Sequence, residues 1–411
     1  MTSLNPRDPK DVEQIVRAAI ASAQPLEVMG HGSKRAIGHP VATNAVLDMS
    51  ALNAIVDYEP NELIITTQAG APLADVMSLI DSKNQHFAFE PMNVSVLLGG
   101  ARDAGTIGGM IAAGLAGPRR ISAGGIRDHL LGAHAVSGFG DSFVAGGKVV
   151  KNVTGYDLCK LIAGSWGTLA VMTEVTLKVM PRPESERTLV LRGLDAVTAN
   201  KAMTAAMTSP FDVSGAAHLP GSALRTTTGA LAALAAEDQS VTLIRLEGIT
   251  VSAGHRASSL RAALAASYGE AEIVEDAAAI WRDVRDVTPF AFDGPRALWP
   301  VWRIVCPPAS GGPFGEALAR ETGGEVIYDW AGGLIWAALP PHDAAQAVSL
   351  RGRVNAIGGH ATLIRGSDEA RRAIDVFHPQ AAGLAALGER VRKSFDPTHI
   401  LNRGRMIRGT P

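Results

Sequence analysis

Apolar positions along the chain change period several times, and each change marks an element. Between residues 8 and 24, Val12, Ile15, Val16 and Ala19 recur at helical spacing, and Leu26–Met29 follows as a short apolar run. That run breaks into "GHGSKRAIGHP", a loop rich in glycine and cations. "ELIITTQAG" predicts a strand ending at Gly70. "PLADVMSLIDS" then opens with proline at a first-turn position and repeats Leu73, Val76, Met77 and Ile80 on one helix face. "HLLGAHAVSGFGDSFVAGG" predicts two strands joined at Gly138–Asp141. Tyr156–Ile162 suits a short helix and Gly164–Gly167 a turn. From Val171 to Val179, apolar Val171, Val175, Leu177 and Val179 alternate with Glu174, Thr176 and Lys178, the period of a half-buried strand. "MPRPESER" ends this half with two prolines and a cluster of charges.

The second half mixes alanine-rich helical stretches near 195–207, 229–236 and 256–267 with the strands "SVTLIRLEG", "ALWPVWRIVCP" and "GLIWAALP". "PPASGGPFG" is expected to be a loop. No βαβ rhythm is visible, so an α+β fold with a partly antiparallel sheet is expected. The expected division is residues 1–181, 182–390, and a segment 391–411 that returns to the first domain.

Composition narrows the function. The 411 residues are 46% hydrophobic and 19% charged, as in a folded globular chain, and the net charge of −2 gives no reason to expect nucleic acid. Two cysteines, Cys159 and Cys306, exclude a disulfide framework and a four-thiolate cluster within this chain. The polar amino terminus has no apolar signal core and no run is long enough to span a membrane, so a cytoplasmic location is expected.

Gly30, His31, Gly32, Ser33 and Lys34 place bare backbone beside a small hydroxyl and a cation, which is what an anion nest needs. The spacing fits neither GxxxxGK[ST] nor GxGxxG, and the bland alternative is a strand-to-helix turn. Three later segments follow in order: "GTIGGMIAAGLAGP", "RDHLLGAHAVSGFGD" and "GYDLCKLIAGSWGTLAVMTEVTLKVMP". Together they resemble the FAD-binding domain of the vanillyl-alcohol oxidase/para-cresol methylhydroxylase (PCMH) flavoprotein superfamily. "GGMIAAGLAGPRR", "VVKNVTGYDLCKLIAGSWG", "LWPVWRI", "GGHAT" and "FDPTHILNRGRM" sharpen this to a resemblance to the E subunits of bacterial glycolate oxidases, over nearly the whole chain.

The resemblance implies a two-part PCMH-type FAD domain followed by an α+β cap. It implies an FAD pyrophosphate held at Gly30–Lys34, with Thr106, Gly108, Gly109 and Gly114 running along the cofactor. Asp128 and Val171 fall in the remaining cofactor-side segments, Val171 to Glu174 where the family contacts adenine and ribityl groups. It further implies oxidation of glycolate to glyoxylate, with a catalytic FAD subunit and an iron–sulfur subunit passing electrons toward quinone. Any contact with the inner face of the membrane would come through those partners. A self-sufficient 2-hydroxy-acid dehydrogenase and a flavin-free scaffold are the alternatives.

Other residues stay open between chemistry and structure. Arg119 and Arg120 point apart if extended, so at most one faces the flavin. Trp299, Trp302, Arg303 and His360 are candidates for the substrate side, with Arg303 as a carboxylate clamp and His360 as general base, the pair that hydroxy-acid oxidation requires. Tyr156 and Asp157 are expected to form a buried hydroxyl–carboxylate pair. No two of the 11 histidines stand in an H-x-x-x-x-x-H metal-binding run, so no metal ligand is assigned. His31 and His39 flank the loop outside the family's R-x-GGH attachment pattern, so the FAD is expected to be noncovalent.

Overall fold

The computed structural model describes residues 2–101, 103–148, 155–235, 238–341 and 344–408. The lysine–asparagine part of "KNVTGYDL" therefore lies outside the described residues.

The first half holds two sheets. Leu26–Met29 and Thr2–Leu4 flank Ala45–Asp48 in a small parallel sheet, covered by the helix Pro9–Ala21. Asp8 starts that helix by accepting a hydrogen bond from the Asp11 amide, and Val12, Val16 and Ala19 form its buried stripe. A five-stranded antiparallel sheet runs Ile55–Glu59, Ile64–Gln68, Ala170–Lys178, Leu130–Ser137 and Ser142–Gly146. Its central strand, Ala170–Lys178, is buried on both faces. Thr173 donates to the His134 carbonyl and Thr176 shares a hydrogen bond with Thr66, so the alternation seen in the sequence does not mark a solvent face here.

The main sheets part between Pro181 and Ser185. Beyond that point eight strands form one sheet in which every pair is antiparallel, from Glu272–Glu275 at one edge to His360–Arg365 at the other. The stretch "PPASGGPFG" is not a loop. It opens the helix Pro308–Thr322, with proline in its first turn. Its glycines permit close packing: a Cβ on Gly312 would lie 2.6 Å from the Ala196 carbonyl, and one on Gly315 2.5 Å from the Tyr328 ring. Glycine density marks a helix–helix and helix–sheet contact here, although in sequence a run of glycine and proline suggests a turn.

Two buried networks lock the halves together. Glu90 accepts from both Arg245 guanidinium ends at 2.9 and 3.1 Å, and Glu247 takes the Arg119 fork at 2.8 and 2.6 Å. Arg365, which pairs with no carboxylate among the described residues, donates to the carbonyls of Leu97, Phe290, Arg296 and Trp299. The chain's end returns to the first half. The Leu26 amide donates to Ile400, the Asn402 amide to Leu26, and Leu401 pairs with Leu26 as a parallel bridge. Among the described residues, no helix is long and apolar enough to cross a membrane.

Candidate functional site

A cleft with about 760 Å³ of empty space opens where the small parallel sheet, the helix Ile107–Ala113, the turn after Ile162 and the chain's end converge. Gly30, His31, Gly32, Ser33, Lys34, Thr106, Gly108 and Gly109 all line it. The loop follows the strand Leu26–Met29 directly. Gly32 sits at φ +69°, a conformation that turns the following amides and that glycine adopts freely. Thr106 caps the helix Ile107–Ala113 by accepting from the Gly109 amide at 3.1 Å. A Cβ on Gly108 would press within 2.9 Å of Ala69, so that glycine seats the helix against the sheet.

Lys34 reaches the Ser33 hydroxyl at 3.4 Å and makes no ion pair among the described residues. Burial lowers its pKa to about 8. A desolvated ammonium beside a hydroxyl and the unencumbered backbone of Gly105 is a seat for an anion, and the residues present fit a pyrophosphate. Tying up that ammonium with an anion would raise its pKa. The affinity of the chain for its anionic cofactor should hold steady below about pH 8 and fall as pH rises above it, and Lys34→Met should flatten that profile. Equilibrium dialysis across a pH series on both sides of that value checks this.

Sequence reading missed how the cleft closes. Glu27, on the strand below the loop, is buried and accepts from Arg35 at 2.6 Å and from Arg405 at 2.8 Å. Asn402 accepts from the Val28 amide at 2.9 Å and donates to the Trp166 carbonyl at 2.7 Å. These contacts bind loop, turn and terminal segment into one wall, with Trp166, Asn402 and Arg405 on the cleft surface. Only the polar signature "LNRGRM" hinted at it.

Three expected cofactor residues lie elsewhere. Gly114 ends the helix Ile107–Ala113 in a left-handed conformation, with the Gly164 backbone 3.2 Å from where its Cβ would be. Asp128 is exposed and accepts from the Gly125 amide at 2.8 Å, tying its side chain back to the residue that precedes its short helix. Val171 points into the core with Leu26 and Leu47, while its neighbours Ala170 and Met172 face the cleft, as strand alternation requires. Tyr156 is 95% exposed, so it forms no buried pair; Asp157 caps the helix Leu158–Ile162 through the Lys160 amide. His39 is buried with both ring nitrogens engaged, at the Arg371 carbonyl and the Val376 amide, which leaves His31 as the exposed one of the two.

The arginines and tryptophans divide by face. Arg119 is taken up by Glu247 and Glu90. Arg120 instead lies 4.6 Å from the centre of the Trp330 ring, and Arg303 lies 5.0 Å from the same ring. On the strand Val301–Val305, Trp302 points the other way, into a separate core under Arg351. Trp299 precedes the strand and stacks with Arg296. His360 pairs with Val305 and Thr362 with Arg303, so His360 shares a sheet face with Arg303. Burial, then the charges of Arg303, His378 and Arg120, lower the His360 pKa and favour its neutral form. Among the described residues, no three His, Cys, Asp or Glu side chains group as metal ligands.

Comparison with known proteins decides the family. Residues 3–146 match the FAD binding domain family. The chain is 32% identical over 391 residues to glycolate oxidase subunit GlcE of Escherichia coli, covering 95% of each protein. The chain belongs to the GlcE family. It is an FAD-dependent oxidoreductase, and the glycine-lined cleft falls largely within the matched FAD domain. Glycolate oxidase subunit GlcD of Bacillus subtilis is 31% identical over 186 residues, 45% of this chain and 38% of GlcD. The fold is shared with p-cresol methylhydroxylase solved with substrate bound (TM-score 0.70, 13% identity, 99% of this chain and 88% of that one). It is also shared with alkyldihydroxyacetonephosphate synthase (TM-score 0.65, 16% identity, 97% and 76%).

Proposed function

We propose that this GlcE-family chain is the FAD-bearing supporting subunit of a multi-subunit glycolate oxidase that converts glycolate to glyoxylate. The cleft carries the reading. At one end lies an anion nest closed by desolvated Lys34, which has no ion pair among the described residues. Ala112, Ala113, Ala170 and Met172 give the cleft an apolar wall of small and flexible side chains. Gly30 to Lys34 would hold the pyrophosphate of a noncovalent FAD. Thr106, Gly108 and Gly109 would let the cofactor lie against backbone, and the Glu27–Arg405 pair would keep the wall closed. When bound, FAD supplies two-electron oxidation of a carbon bearing a hydroxyl.

The proposed partners are a GlcD-like catalytic flavoprotein and an iron–sulfur subunit leading toward quinone, the assembly carrying the chain to the inner face of the membrane. The relay role is supported by the two cysteines, which lie buried in separate cores and cannot assemble a cluster in this chain. A second reading, direct oxidation of a 2-hydroxy acid, is favoured by one observation: Arg303 and His360 share a face. There Arg303 would orient a carboxylate and neutral His360 would accept the hydroxyl proton.

Acid precipitation of the purified chain should release all yellow chromophore into the supernatant, with mass equal to FAD. Flavin retained on the denatured chain would overturn the noncovalent assignment and point to His31. A colourless full-length chain that takes up no added FAD would leave the scaffold alternative.

A further inference from the structure

The eight-stranded sheet is joined near its middle by one residue pair. Among the described residues, Val213–Leu219 and Glu325–Asp329 bridge only at His218 and Tyr328, whereas the strands on either side pair along their length. Past that bridge Pro220, which has no N–H to donate, leads into the short helix Gly221–Leu224, and the two strands part. A cavity opens there, bounded also by the start of the helix Ala196–Met207 and the side of the helix Pro308–Thr322. Tyr328 belongs to the core that holds Trp302, on the face of the sheet away from Arg303, and the cavity shares no lining residue with the FAD cleft.

Two buried groups that line this cavity have unspent hydrogen-bonding capacity. Tyr328 is 2% exposed, and its hydroxyl has no partner among the described residues. Gly315 makes room for it, since a Cβ there would lie 2.6 Å from the hydroxyl. Glu325 is 7% exposed; Arg296 holds one carboxylate oxygen, and the other has no partner among the described residues. Leaving such atoms unpaired is costly, and two at one cavity call for an occupant that pairs them.

The charge around them is negative. Asp195, Asp238 and Glu316 stand exposed at the rim, and among the described residues no lysine or arginine lines the cavity. Asp238 is paired with Arg225 at 3.1 Å, and Asp195 caps its helix through the Thr198 amide at 2.7 Å. Glu316 makes no hydrogen bond or ion pair among the described residues. Burial and then Glu316 raise the Tyr328 pKa, and burial lowers that of His218 to about 4, so the phenol keeps its proton and the imidazole stays neutral.

Negative charge with unspent acceptors selects a cation that brings N–H donors. A metal ion fits poorly, because no three His, Cys, Asp or Glu side chains among the described residues group as ligands. Glu325 and Tyr328 stand three residues apart on one strand, so their Cα atoms are about 10 Å apart and their side chains leave opposite faces. One ammonium group does not serve both. We infer that this cavity is a binding site for a short aliphatic diamine in its doubly protonated form, with one ammonium at Tyr328 and Glu316 and the other at Glu325. Each ammonium carries three donors and no acceptor, the complement of these groups. The apolar linker would lie against Val326 and Ala319. Nothing in this inference depends on the cofactor or substrate readings.

Calorimetric titration of the purified full-length chain with 1,4-diaminobutane, at pH 7 and low ionic strength, is the test. Saturable binding is expected. Butylamine, with one amino group, and tetramethylammonium, with no N–H, should each bind at least tenfold more weakly. Tyr328→Phe and Glu316→Gln should each weaken the diamine at least tenfold and leave flavin content unchanged. Tyr328→Phe should not lower Tm, because it removes a hydroxyl that the empty protein leaves unpaired. If that variant fails to fold, Glu316→Gln decides the matter, since Glu316 is exposed. Absence of saturable binding, an affinity that neither substitution moves, or butylamine binding as tightly as the diamine overturns the site. So does displacement of the diamine by an equal concentration of calcium, which would make the cavity a metal site.

Discussion

Gly32→Val should empty the chain of flavin while leaving it folded, with chromophore below about a tenth of the unsubstituted level. Gly32 lies at φ +69°, where an L residue costs roughly 1–2 kcal/mol and a β-branched one more. Its surroundings do not forbid a side chain, because among the described residues only the Met29 sulfur lies near a Cβ placed there, at 3.7 Å. The substitution therefore acts through the backbone: relaxing φ turns the following amides away from the anion they would hold. Gly108→Val is the informative contrast. There a Cβ meets Ala69 at 2.9 Å, so the helix must lift off the sheet and stability should fall together with flavin. Flavin content by absorbance and melting by circular dichroism separate the two outcomes. Full flavin in a folded Gly32→Val chain would mean that the loop holds something else.

How much of this was legible follows from range. The loop stood out because Gly30 to Lys34 combine bare backbone with donors inside one short stretch, and local sequence carries that signal. The closing of the cleft did not, because Glu27 meets Arg405 across 378 positions and nothing local to either residue announces the other. Alternation cuts both ways. Arg119 and Arg120 do point apart, but at the start of a short helix and not in an extended segment, whereas true alternation puts Trp302 on the face opposite Arg303, although the two look like neighbours in one motif. Asp128 and Gly114 sit inside motifs whose other members line the cleft, yet one ties back to the amide before its own short helix and the other ends a helix. Glycine was ambiguous throughout: at Gly32 it allows a turn, while at Gly312 and Gly315 it lets a helix pack tightly. Only the contacting backbone tells these apart.

Alone and loaded with FAD, the chain should reduce dye with glycolate slowly or not at all; with a catalytic flavoprotein and an iron–sulfur subunit, activity should appear and depend on this chain. The reasons lie in residues it does and does not carry. Burial pushes the thiols of Cys159 and Cys306 up to about 11 each, and they occupy separate cores, so neither a cluster nor an internal dithiol is available to take electrons one at a time. None of its 11 histidines is spaced to form the H-x-x-x-x-x-H run. If the isolated chain instead turned over glycolate as fast as the complex, the relay reading would fall and direct oxidation would replace it. Arg303→Lys then decides what Arg303 contributes. Lysine keeps the charge but cannot present two parallel donors or lie flat on Trp330, so if Arg303 clamps the substrate carboxylate the substitution should raise KM at least tenfold. A group that only balances the charge of the buried Asp329 carboxyl would leave KM unmoved.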